Sequence, residues 1–139
     1  MHPALTLSLD SRVTAGLLLL TIVGIEYGGW FILRIVRGAV PMTEFQKTFA
    51  RAGHAHAGVL VILSLVGQLF ADATSISGPL ALLARNGIWI AALLIPAGFF
   101  FSSIGKNVTR PNRLILLLYL GMASLTLGVV SLGVGLLSA

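Results

Sequence analysis

Four long runs of apolar residues follow one another along this 139-residue chain, separated by short polar segments. Each run is long enough to cross the hydrocarbon core of a bilayer, which requires about 20 residues of helix. The pattern predicts an all-α, integral membrane four-helix bundle that forms a single domain over residues 1–139. The helices are expected at roughly 13–35, 50–71, 80–103 and 112–137.

Composition supports a membrane protein and narrows the chemistry open to it. Hydrophobic residues make up 57% of the chain and charged residues only 9%, unlike the balance of a soluble domain. Helices and short loops occupy nearly the whole length, which leaves no room for a soluble catalytic domain. Because the chain has no cysteine, iron–sulfur clusters and thiolate metal sites are excluded. Any metal would have to be held by imidazole, by carboxylate or by a macrocycle.

The basic residues are distributed unevenly between the predicted loops. Seven of the nine lie in or beside the first and third loops: Arg34, Arg37, Lys47, Arg51, Lys106, Arg110 and Arg113. This bias predicts that both loops are cytoplasmic and both termini external, with His2 in an external tail. We expect an integral protein of a bacterial inner membrane. The basic residues are dispersed and lack interleaved aromatics, so no nucleic-acid partner is predicted.

The segment Arg51–Gly58, with the sequence RAGHAHAG, places two histidines at the start of the second apolar run. An imidazole inside a membrane is costly unless it is paired or ligates something, so this segment is the default functional site. Residues two apart on a helix point about 200° away from each other. His54 and His56 therefore cannot both ligate one ion from one helical face, unless the helix begins between them.

His56 is the stronger candidate for a ligand because it lies deeper in the predicted helix. A flat macrocycle would fit the apolar strip predicted on its face, which has small residues at one end: Ala52, Gly53, Val59, Leu60 and Leu63. His54 is expected on the side of Arg51 and Ala57. For either histidine, the alternative is an interfacial imidazole with an ordinary hydrogen-bond partner.

Glu26 is the only acidic residue well inside a predicted helix, and Tyr27 follows it directly. A carboxylate at that depth should be protonated or paired, with Arg51 and the two motif histidines as candidate partners. It could handle protons or orient a ligand histidine. The alternative is a packing carboxyl hydrogen-bonded to a neighbouring helix.

Small residues recur at helical spacing in two of the predicted helices. They are Gly24 and Gly28 in the first helix, and Ser124, Gly128, Ser131 and Gly135 in the fourth. Such stripes let helix backbones approach closely. Packing within the bundle is favoured over a subunit interface.

Three short motifs resemble the styrene oxide isomerase family: RAGHAHAG at 51–58, GFFFS at 98–102 and PNR at 111–113. The resemblance implies a four-helix homotrimer that binds heme b between subunits. It implies that His56 is the axial ligand of the iron, with the opposite axial position open. Arg51 and Arg113 lie on the same predicted membrane face as the histidines, where arginine suits the heme propionates.

The resemblance also implies a reaction, in which the ferric iron acts as a Lewis acid on the oxygen of a small lipophilic epoxide and a carbonyl compound forms without net redox change. The family has an asparagine six residues after the ligand, where this chain has Ile62. It has a tyrosine in the aromatic run, where this chain has Phe99 and Phe100. The cofactor is therefore predicted more strongly than the isomerase reaction.

Two further functions fit the same residues. One is a non-enzymatic heme or electron carrier, in which His54 or a histidine from a neighbouring subunit supplies a second axial ligand. The other is a transporter or assembly subunit in which Glu26 and the histidines handle protons or a metal ion.

Overall fold

Four long α-helices account for most of the structure, a computed structural model that describes residues 6–138. They are α1 (Leu9–Val36), α2 (Glu44–Asp72), α3 (Gly78–Ser102) and α4 (Leu116–Leu137), and a 3₁₀ turn at Arg113–Ile115 leads into α4. Each helix, α4 together with its turn, is long and apolar enough to cross a membrane. Residues 6–138 contain no strand. The predicted all-α four-helix membrane fold is confirmed, whereas His2 lies outside the described residues.

Helix caps set the starts of α1 and α2, and both helices begin earlier than the apolar runs predict. The side chain of Ser8 accepts the backbone N–H of Ser11 at 3.2 Å and caps α1. Thr43 and Gln46 form a capping box, so α2 begins at Glu44 rather than at residue 50. Hydropathy does not detect these first turns because their residues are polar. Both motif histidines consequently lie inside one continuous helix, and a helix start between them is excluded.

Small residues allow α3 and α4 to pack closely. A Cβ atom added to Gly87 would lie 2.6 Å from the Cα of Gly128, and the Ser124 hydroxyl donates to the Gly87 carbonyl at 2.9 Å. Such approach is typical of membrane helices. The predicted stripe on α4 therefore packs within the bundle. On α1, by contrast, a Cβ at Gly24 would meet nothing within 4 Å.

A polar cluster joins three helices at the end of the bundle where α1 begins. The Asp72 carboxylate accepts the backbone N–H and the hydroxyl of Ser8, each at 2.9 Å, and forms an ion pair with Arg85 at 2.9 Å. Arg85 also donates to the Ser11 hydroxyl at 2.7 Å. Gln68 on α2 donates to the backbone carbonyl of Arg85 on α3 at 2.7 Å, as expected of an interhelical hydrogen-bond partner. The start of α1 is thus fixed against α2 and α3.

The opposite end joins the start of α2 to the loop after α3. The buried Gln46 side chain donates to the carbonyls of Ser103 and Gly105, at 3.0 and 2.9 Å. The helices therefore alternate in direction. The seven basic residues predicted for the first and third loops all lie at or near this end. We call it the basic end.

Candidate functional site

The two motif histidines lie on different sides of α2. The His54 ring faces α1, where a Cβ added to Gly28 would be 3.2 Å from its Nδ1 and one added to Gly29 would be 3.4 Å from its Nε2. The His56 ring faces α3, and its centroid lies 5.1 Å from that of Phe99. The two rings thus lie against different helices, as the spacing of two residues predicts. The structure therefore does not bring the two imidazoles together.

His54 is half-buried between two helices. Glycine at both neighbouring positions of α1 lets the imidazole lie against the α1 backbone. This placement gives His54 a role in the contact between α1 and α2. It does not place His54 where it would assist a ligand held by His56 in the same protomer.

His56 is exposed on the surface of the protomer, and one hydrogen bond defines the tautomer of its imidazole. Its Nδ1 lies 2.7 Å from the carbonyl oxygen of Ala52, one turn earlier in α2. A carbonyl oxygen only accepts hydrogen bonds, so Nδ1 must carry the proton. In the neutral ring, Nε2 is then left as the acceptor. Nε2 is the atom of His56 that is available to a ligand.

An aromatic row supports the ring of His56 from α3 and from the first turns of α2. Ring centroids are separated by 4.2 Å from Phe45 to Phe49, by 5.3 Å from Phe49 to Phe99, and by 5.1 Å from Phe99 to His56. Gly53 makes this packing possible. A Cβ there would come within 3.0 Å of the Phe100 ring and 3.1 Å of the Phe99 Cβ.

The surface of α2 from His56 round to Arg51 is exposed, although the His56 ring at its edge also packs on Phe99 of α3. We call it the open face, and its exposed members are Arg51, Ala55, His56, Val59, Ile62 and Leu63. Val59 and Ile62 keep 64% and 62% of their surface exposed. Apart from Arg51 and His56, these side chains are apolar.

Two residues of the strip beside His56 are buried, so they do not line its open side. Gly53 and Leu60 are buried, Gly53 against Phe99 and Phe100 and Leu60 in the main core cluster. The sequence could not show that these two positions are covered, because apolar residues occur on every side of this part of α2. Only packing against α3 decides which of them face inward.

The other predicted site residues lie apart from the His56 ring. Arg51 is exposed at the opposite edge of the open face, and Arg113 is exposed in the 3₁₀ turn at the basic end. Glu26 is exposed on α1 and takes part in neither of the two ion pairs among residues 6–138. Tyr27 is 67% exposed and packs against Trp30, with ring centroids 5.3 Å apart. The expected pairing of Glu26 with Arg51 or a histidine is therefore absent from the described part of the chain.

Among the exposed members of the open face, His56 alone carries a metal-ligating group. No three histidine, aspartate or glutamate side chains within residues 6–138 converge in a way that would hold an ion. A macrocycle supplies its own equatorial ligands and requires only one axial group from the protein. One available imidazole nitrogen on an apolar surface meets that requirement.

Fold and site together define a small four-helix integral membrane protein with one available imidazole on an open helix face. Comparisons with family models, with curated proteins and with solved structures find no match to this chain.

Sequence reasoning did not identify three contributors to the site. The Ala52 carbonyl is a backbone group, although its spacing of four residues before His56 is a usable signal. The stacking of Phe99 on His56 depends on how α2 and α3 pack, which local sequence does not specify. The contact of His54 with Gly28 and Gly29 was only partly predicted. The sequence pointed to the small-residue pair Gly24 and Gly28, but Gly24 makes no such contact.

Proposed function

We propose that the protein binds heme b in the membrane, with Nε2 of His56 as an axial ligand of the iron. The observation that carries this proposal is the hydrogen bond between His56 Nδ1 and the Ala52 carbonyl. Metal-ligating histidines almost always donate their other ring N–H to a carbonyl, a carboxylate or water, which fixes the tautomer. His56 has this arrangement.

The environment of His56 supports the same proposal. If His56 had no ligand, its Nε2 would face hydrocarbon without a hydrogen-bond partner, which is unfavourable. Ala52 and Ala55 are small, so a flat ring can lie close to α2 at this level. Arg51 at the edge of the open face is suited to a propionate, and Arg113 at the basic end is a second candidate.

The open face also supports a homo-oligomer. A heme bound to His56 would leave one side exposed to lipid unless a second subunit covered it. The resemblance to styrene oxide isomerases implies a trimer with heme between subunits, and the exposed apolar residues Val59 and Ile62 are compatible with such an interface. We therefore propose an oligomeric heme site.

A heme with a single protein ligand would supply a Lewis-acidic iron with one open axial position. His54 faces α1, so it is not a second ligand for a heme held by His56 of the same protomer. This arrangement favours an isomerase acting on a small lipophilic epoxide over an electron carrier.

The test is the absorption spectrum of protein purified after expression with ample heme. We expect a Soret band and a five-coordinate ferric iron in the wild-type protein. His56→Ala should lose most of the band, whereas His54→Ala should keep it. Turnover of styrene oxide by wild-type protein, lost in His56→Ala, would support the isomerase reaction.

The other outcomes discriminate between functions. Absence of a Soret band in well-folded wild-type protein would contradict the heme proposal and favour a proton- or metal-handling role for Glu26 and the histidines. A six-coordinate bis-histidine spectrum would support heme binding but favour an electron carrier. Loss of the band in His54→Ala, with the band retained in His56→Ala, would overturn the assignment of the ligand.

A further inference from the structure

The loop between α3 and α4 lines a wide, open concavity at the basic end. Residues 107–113 line this open space of about 750 Å³. Its polar side chains belong to Asn107, Thr109, Arg110, Asn112 and Arg113, and none of them is part of the surface around His56. The concavity is thus a separate feature of the molecule.

Hydrogen bonds fix the shape of this loop without help from its arginines. The buried side chain of Gln46 binds the carbonyls of Ser103 and Gly105, as described above. Thr43 donates to the Val108 carbonyl. At the end of the loop, Asn112 donates its side-chain amide to the Phe101 carbonyl at 3.0 Å, and its backbone N–H to the Ser102 carbonyl at 2.9 Å. The concavity is therefore built into the fold.

The charge around the loop is strongly positive. Glu44 is the only acidic residue at the basic end, and Lys47 pairs with it at 2.8 Å. Arg110 and Arg113 are exposed and belong to neither ion pair formed within residues 6–138. Two guanidinium groups with no acidic partner, beside a preformed concavity, are suited to an anionic group with several oxygen acceptors.

Apolar side chains flank the same loop. Ile104 is 66% exposed before it, and Leu114, next to Arg113, is 48% exposed at the start of the 3₁₀ turn. The arginines lie where the apolar spans end, at the level expected for lipid headgroups. A ligand that is anionic at one end and apolar at the other matches both parts of this surface, whereas free phosphate matches only the first.

We propose that the α3–α4 loop binds the headgroup of an anionic phospholipid, with Arg110 and Arg113 contacting its phosphate. Basic pockets between membrane helices are a recurrent way of binding such headgroups. The bound lipid would occupy the leaflet next to the basic end. This site uses neither His56 nor the open face of α2, and Arg113 is the one residue that it shares with the candidates for the proposed heme site.

The test measures lipid binding to the full-length, purified protein in detergent by native mass spectrometry. The probes are phosphatidylglycerol and phosphatidylcholine with identical acyl chains. We expect wild-type protein to prefer phosphatidylglycerol. The double variant Arg110→Gln/Arg113→Gln should bind it about thirtyfold more weakly, from roughly a fivefold loss for each cationic side chain.

Arg34→Gln/Arg37→Gln is the matched control, because it removes the same charge from the basic end but lies at the end of α1, away from the α3–α4 loop. It should bind phosphatidylglycerol like the wild-type protein. The guanidinium groups of Arg110 and Arg113 make no ion pair within the described chain, so the loop variant should keep its thermal midpoint in lipid-free detergent. If the thermal midpoint of the double loop variant is lowered, the single variants Arg110→Gln and Arg113→Gln replace it. Each should bind phosphatidylglycerol about fivefold more weakly than the wild-type protein.

Several results would overturn this proposal. Equal losses in the two double variants would show diffuse attraction to the basic end rather than a site. Equal binding of the two lipids by wild-type protein would exclude recognition of an anionic headgroup. Full competition by millimolar inorganic phosphate would identify free phosphate as the ligand. Loss of a Soret band with unchanged lipid binding would assign the two arginines to the heme.

Discussion

The rings of His56 and Phe99 lie with their centroids 5.1 Å apart and their planes inclined by 36°. Together with the hydrogen bond from Nδ1 to the Ala52 carbonyl, this contact limits rotation of the imidazole about its side-chain torsions. A ligand histidine held at two points loses little conformational freedom when it binds iron. Phe99 therefore acts on the proposed heme site through His56 and not through the cofactor itself.

Replacing Phe99 should weaken heme binding without unfolding the protein. Phe99→Leu keeps apolar volume but removes the ring contact, and aromatic pairs of this kind contribute about 0.5–1.5 kcal/mol. We expect the heme dissociation constant to rise roughly threefold to tenfold. Heme titration followed at the Soret band measures this change, and the thermal midpoint of the apoprotein monitors folding.

Phe101→Leu is the control for that variant. Phe101 is two residues away on α3, is 48% exposed and makes no ring contact with His56. Its heme affinity should match that of the wild-type protein. Equal affinities in the Phe99 and Phe101 variants would contradict a positioning role for Phe99.

The crossing of α3 and α4 should not tolerate even one additional methyl group. In Gly128→Ala the new Cβ would lie 2.9 Å from the backbone of Gly87, which cannot rotate away as a side chain can. Overpacking of this kind typically costs about 1–3 kcal/mol in the free energy of unfolding. Reversible unfolding in mixed micelles, followed by circular dichroism, provides the measurement.

Gly133→Ala is the comparison within the same helix, since a Cβ there would meet nothing within 4 Å. It should be neutral or slightly stabilising, because alanine has the higher helix propensity. If neither Gly128→Ala nor Gly133→Ala lowers the free energy of unfolding, the close approach of Gly87 and Gly128 is contradicted.

The ion pair between Asp72 and Arg85 should contribute measurably to stability. Its side chains are only 13% and 25% exposed, and both partners also bind serines at the start of α1. A double-mutant cycle with Asp72→Asn and Arg85→Gln should give a coupling energy of about 1–2 kcal/mol, as expected for charge-assisted hydrogen bonds with limited exposure. The free energy of unfolding is measured for all four proteins.

The pair formed by Lys47 and Glu44 supplies the reference cycle. It has a similar N–O distance, 2.8 Å, but Glu44 is 89% exposed and the residues are one helical turn apart. Its coupling energy should not exceed about 0.5 kcal/mol. A coupling at Asp72 and Arg85 no larger than this reference would contradict the structural role assigned to the polar cluster.

Sequence alone predicted the number, type and approximate positions of the helices, because a membrane span requires a long apolar segment. It did not predict the start of α2 at Glu44, since the capping box of Thr43 and Gln46 is polar and lies before the apolar run. Hydropathy also failed to separate the two sides of α2. Leu60 and Val59 are adjacent and equally apolar, yet Leu60 is 4% exposed and Val59 is 64% exposed.

For the candidate site, helical periodicity correctly predicted that His54 and His56 point in different directions. It could not show that His54 faces two glycines of α1 or that His56 stacks on Phe99. These contacts join residues far apart in sequence, and their existence depends on how the helices pack. The sequence could therefore name His54 and His56 as candidate ligands. The structure was needed to identify Nε2 of His56 as the nitrogen available to a ligand.

Helix α1 is tied to α2 at two widely separated places. Near its start, Ser8 binds Asp72, and near its other end Gly28 and Gly29 receive the His54 ring. The serine and the glycines are about 30 Å apart at 1.5 Å per helical residue. Sliding α1 along α2 by one turn would break both attachments at once. The largely apolar surface of α1 would permit several axial positions, and this pair of contacts selects one of them.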